Sequence, residues 1–136
     1  ECPIPTWEIV SSDPKDFNIT YSIDSLESLV DYPLDKLIAY RFGSDGAASE
    51  SAGEEIYKRF ISNPETLVRY LSLISLKDDR EYICSVIADS FYGYGTKLQL
   101  DKILEEFETS NKDDVELKIL LLIQEEYKKT ANRMDH

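Results

Sequence analysis

The stretch SAGEEIYKRFISNPETLVRYLSLI, Ser51–Ile74, decides the fold. Ser51 and Glu54 stand at capping-box spacing, where the first side chain bonds an orphan N–H and the fourth reaches back. Ile56 and Phe60 then share one helical face. Asn63-Pro64-Glu65 restarts the chain with an N-cap, a proline at the first helical position and an acid near the positive helix end. Leu67, Leu71 and Ile74 continue at helical spacing. The stretch reads as helix, stop, helix.

The same punctuation recurs on both sides. Asp24…Glu27, Asp78…Glu81, Thr96…Gln99 and Asp113…Glu116 fit the capping box or its Asp variant. Apolar faces follow three of them: Ile83, Val86, Ile87 and Phe91; Leu100, Ile103, Leu104 and Phe107; Leu117, Leu120 and Leu121. The spacing predicts helices over 24–32, 33–42, 51–62, 64–76, 78–92, 96–109 and 113–132, with Pro33 bending the chain between the first two. The opening residues differ. Phe17, Ile19, Tyr21 and Ile23 alternate with Asn18, Thr20 and Ser22, which is strand spacing, and Thr6–Val10 are placed to pair with them across Asp13-Pro14. The expectation is an all-α single domain over 1–136, with an extended or β-hairpin arm over 1–23 and a helical hairpin array over 24–134.

A longer period overlies the helices. Leu34, Leu67 and Leu100 are 33 residues apart, as are Ile38, Leu71 and Leu104, while Ile56, Ile87 and Leu121 repeat more loosely. Over about residues 33–130 the pattern resembles HEAT-like or armadillo-like helical hairpin repeats. That resemblance implies three stacked antiparallel helix pairs, an α-solenoid whose concave surface or row of turns takes a protein partner. An irregular helical bundle is the other reading of the same spacing. The ankyrin and tetratricopeptide signatures are absent.

Composition narrows function. Asp and Glu number 27 against 15 Lys and Arg, for a net charge of −12 over 136 residues. Nucleic-acid binding rests on cationic contacts to phosphate, so this balance argues against it, and equally against an anionic membrane surface. No apolar run approaches the roughly 18–20 residues of a membrane span. A basic protein or peptide is the favoured partner. The chain opens Glu-Cys-Pro rather than with Met, which fits a processed, exported protein, either secreted, periplasmic or surface-anchored. Cys2 and Cys84, the two cysteines, either form a disulfide tethering the arm in an oxidising compartment, or leave Cys84 as a buried thiol. Cys2 near a lipid anchor is a third reading. Asn18-Ile19-Thr20 matches a glycosylation acceptor.

Catalytic constellations are scarce. The sole histidine, His136, is terminal, so nucleophile–histidine pairs have no base, and two cysteines with one histidine do not build a usual zinc site. Adjacent carboxylates occur at Glu54-Glu55, Asp78-Asp79, Glu105-Glu106, Asp113-Asp114 and Glu125-Glu126. Neighbours on a helix diverge by about 100°, so solvated faces explain them better than acid–base dyads. Neither Asn111–Glu116 nor Gly43–Gly46 has EF-hand spacing. No cofactor or metal is expected.

SFYGYGT, Ser90–Thr96, reads as a stop, a two-glycine turn and a start, with Gly93 as the left-handed terminator and Thr96 as the next cap. Tyr92 and Tyr94 exceed what a turn requires and offer rigid contact area. They, with Glu105 and Glu106 on the following helix, are the candidate partner-binding residues. The segment 43–53, GSDGAASESAG, reads as a mobile loop. The expected function is a non-enzymatic, acidic protein-binding module. The alternatives are an immunity- or inhibitor-type protein neutralising a basic effector, a carboxylate-based hydrolase, and a carrier with an interhelical pocket for a small apolar ligand.

Overall fold

The computed structural model describes residues 34–43, 46–74, 77–110 and 114–134. The arm expected over 1–23, the helix over 24–32, Cys2 and Asn18 lie outside the described residues. Those residues form six helices and no strand: α1 (Leu34–Gly43), α2 (Gly46–Ser62), α3 (Pro64–Leu73), α4 (Lys77–Tyr94), α5 (Lys97–Thr109) and α6 (Asp114–Met134). The chain is all-α over its described length. Its contacts divide it after Ser75 into two compact units, one holding α1–α3 and the other α4–α6.

In the first unit, α2 packs against both α1 and α3. Leu34, Leu37, Ile38, Ile56, Phe60, Leu67, Val68 and Leu71 are buried. Asn63 caps α3 as its sequence predicts: the side-chain oxygen accepts from the Thr66 N–H at 3.2 Å, with Pro64 at the first helical position. The helix ends at Leu73 rather than 76. Ile74 turns into extended backbone, donates its N–H to Leu71 O at 3.2 Å, and stays buried.

One expectation is overturned here. Residues 46–53, read as part of a mobile loop, are the first turns of α2, and Ser51 is inside that helix rather than its cap. Ser49, Ala52, Gly53, Ile56, Tyr57 and Phe60 are all buried. Their spacing, i, i+3, i+4, i+7, i+8 and i+11, is one continuous helical stripe. Small residues supply its upper half, where a hydrophobicity count sees little, and alanine is the strongest helix former.

In the second unit α6 packs against α4 and α5, and α4 meets α5. Ile83, Cys84, Ile87, Ala88, Phe91, Leu100, Ile103, Leu104 and Phe107 bury the faces of α4 and α5 on the predicted phase. Helix α6 does not keep its predicted phase. Ile119, Leu120 and Ile123 are buried, whereas Leu121 is 43% exposed and Leu117 half-buried. Five consecutive apolar residues, Ile119–Ile123, leave the phase of a helix undetermined by pattern alone, so the loose 33-residue series through Ile56 and Ile87 loses its third buried member. A directional bond adds to this packing: the Thr130 hydroxyl of α6 donates to Asp89 Oδ1 of α4 at 2.6 Å.

Candidate functional site

The turn between α4 and α5 is built by backbone hydrogen bonds. Helix α4 runs through Gly93 to Tyr94, and Gly95 follows with φ +67°. The Thr96 N–H donates to Phe91 O at 3.0 Å and the Gly95 N–H to Tyr92 O at 3.2 Å. These are the two bonds of a Schellman motif, which places the left-handed residue at Gly95, not Gly93. A helix end needs one such residue; Gly93 continues the helix at a modest entropic cost. Thr96 is the N-cap of α5 but makes no side-chain cap bond. Its backbone, at φ −114° and ψ 35°, is not in the β region usual for an N-cap, so the predicted Thr96…Gln99 capping box does not form. Asp78 likewise falls inside the first turn of α4 rather than before it.

The tyrosine pair separates. Tyr92 is half-buried against Tyr127 of α6, with ring centroids 6.0 Å apart and planes at 58°, a tilted aromatic contact between α4 and α6. Tyr94 is 52% exposed. Glu105 and Glu106 separate as well. Both are exposed, but they stand about 100° apart around α5, and only Glu105 lines a groove.

That groove is an open cleft of about 480 Å³ in the α4–α6 unit. Leu98, Asp101, Leu104, Glu105 and Glu108 of α5 line it together with Gln124 of α6. Lys102 completes the lining. Leu98, Asp101, Glu105 and Glu108 fall at i, i+3, i+7 and i+10, a stripe along the face of α5 turned away from the buried Leu100, Ile103 and Phe107. Leu98 is 84% exposed, more than any other large apolar side chain among the described residues. Lys97 Nζ reaches both carboxylate oxygens of Asp101, at 3.0 and 2.9 Å. Three carboxylates against Lys102 leave the lining net negative.

Leu98, Asp101 and Glu108 were not among the expected contact residues. The sequence carries one signal for them: Leu98 is out of phase with Leu100, Ile103, Leu104 and Phe107, so the core does not need it.

Cys84 carries a free thiol, fully buried on α4. Burial pushes its pKa from 9.0 up to about 12, assisted by the negative charges of Glu126 and Glu81 and opposed by Arg80. The adjacent carboxylates sit in unlike surroundings. Asp79 is buried while Asp78 is exposed; Glu55 pairs with Arg59 at 3.3 Å while Glu54 is exposed; Glu126 pairs with Lys129 at 3.3 Å while Glu125 is exposed. Among the described residues no group of three or more His, Cys, Asp or Glu side chains is placed to hold a metal ion. No described helix is long and apolar enough to cross a membrane.

Family models, curated proteins and solved structures alike return no match to this chain.

Proposed function

We propose that this chain is a non-enzymatic protein-binding module that recognises a basic partner through the α5 side of its second unit. The observation that carries this reading is the company Leu98 keeps. A leucine left 84% exposed beside Asp101, Glu105 and Glu108 serves no core, and an apolar point among charges of one sign is how a contact surface combines anchoring with steering. Tyr94, the last residue of α4, is exposed as well and is the second candidate contact.

The test is capture of partners on the immobilised full chain at rising ionic strength, followed by affinity measurement for the basic partner recovered. Tyr94→Ala is expected to weaken that partner by more than about 1 kcal/mol without altering the helical circular dichroism spectrum. Partners that are acidic, or capture insensitive to salt, would sink the proposal.

A further inference from the structure

The geometry points to one occupant for the groove along α5: a basic amphipathic helix, laid lengthwise, with an apolar side chain against Leu98 and Leu104 and lysines or arginines facing Glu105 and Glu108. This inference rests on the protein-binding reading and gives it a ligand chemistry and a seat.

Three features select the occupant. The first is shape: the cleft is open, follows the helix from Leu98 to Glu108 and is bounded on α6 by Gln124. Ten residues of helix span about 15 Å, the length of roughly three turns of a ligand helix. A small apolar molecule needs a more enclosed and more apolar cavity than one in which Leu98 and Leu104 are the two apolar members among seven. The second is charge. Asp101 is already matched by Lys97, which leaves Glu105 and Glu108 with a single lysine, Lys102 of the same helix, in the lining. Two successive turns therefore present carboxylates on one side, a spacing that a helix with basic residues three or four apart reproduces. The third is the position of the apolar group. Leu98 stands at one end of the stripe with the acids beyond it, so the complement has its apolar anchor at one end and its positive charges along the remaining length. Glu106, off the groove, is left out of the contact.

The test uses the full chain and two fluorescein-labelled synthetic peptides of about 14 residues, roughly four helical turns. One carries leucines at i, i+3 and i+7 among lysines; the other has the same composition with its leucines spread around all faces. Fluorescence anisotropy reads the affinity of each. The amphipathic peptide is expected to bind more tightly than the scattered one. Leu98→Gln should weaken it at least about fivefold while leaving its salt dependence unchanged. The pair Glu105→Gln with Glu108→Gln should flatten the salt dependence, and Glu106→Gln should leave both readouts unaltered. All four positions are exposed, and circular dichroism confirms that each variant keeps its helices.

Equal binding of the two peptides would reduce the interaction to bulk charge and overturn the proposal, as would an unaffected Leu98→Gln variant. Loss of binding in Tyr94→Ala with both groove variants unaffected would move the contact to the turn; the groove proposal would fall and the protein-binding reading would stand. A chain that binds neither peptide also overturns the groove proposal, while the capture experiment decides the broader reading on its own.

Discussion

Cys84 sits among Ile83, Ile87 and Ala88 on a face with no access to water, and its thiol behaves there as a small hydrophobe. Because the pKa is raised to about 12, the folded chain keeps the proton that the unfolded chain gives up near 9. The unfolded state therefore binds fewer protons across that window, and stability falls as pH rises through it; below about 9 the contribution is fully present. A thiol reagent at about pH 8 is expected to leave Cys84 unlabelled until denaturant is added, and Cys84→Ala should lose less stability than the parent between pH 9 and 11. Labelling of Cys84 in the native chain at the rate of a free thiol would contradict its burial. At the same scale, the proposed binding surface is only partly legible in the sequence. Tyr94 and Glu105 stood out by residue type, and both are exposed. Tyr92 stood out equally, yet its ring is committed to Tyr127, a partner 35 positions away that no local spacing announces. Leu98 was visible only as an exception to the phase of α5.

Elements fared according to whether their signals were local. The Asn63-Pro64 start is written in three residues and appears as written, because a cap and a fixed proline φ act within one turn. The beginning of α2 escapes the sequence because its evidence lies in packing: Ser49, Ala52 and Gly53 look like loop composition until their burial is seen. This makes a sharp prediction. Ala52 is fully buried, so Ala52→Leu should overpack the core around it and destabilise the chain by about 1–3 kcal/mol in chemical denaturation, where a loop position would have tolerated it. A neutral Ala52→Leu would return residues 46–53 to the loop reading. The phase of α6 failed for the opposite reason, an excess of apolar residues, and the helix turns Ile119 and Ile123 inward at the expense of Leu121. The cap at Gly95 was placed two residues early because two glycines compete for one left-handed position, and sequence does not say how far the buried face of α4 carries the helix.

The whole molecule carries −12, a self-repulsion that works against compactness and the same field that would steer the proposed basic partner. Salt acts on both terms with opposite consequences. Raising ionic strength from about 10 mM to about 150 mM shortens the Debye length from roughly 30 to 8 Å. Calorimetry is expected to show a higher Tm over that range, while association with a basic partner slows. A Tm that falls on adding salt would mean that net attraction, through pairs such as Glu65 with Arg69 and Lys97 with Asp101, outweighs the repulsion. Within the second unit, the bond from Thr130 to Asp89 has a further effect. Apolar ridges of isoleucine and leucine fit neighbouring grooves almost equally well, so α4 and α6 could slide past one another by a turn, about 5.4 Å, and still bury their faces. A directional bond opposes that freedom. After such a slip the Thr130 hydroxyl would be stranded away from its carboxylate, so the two helices are indexed as well as packed, and the groove on α5 keeps its facing Gln124 at a fixed height.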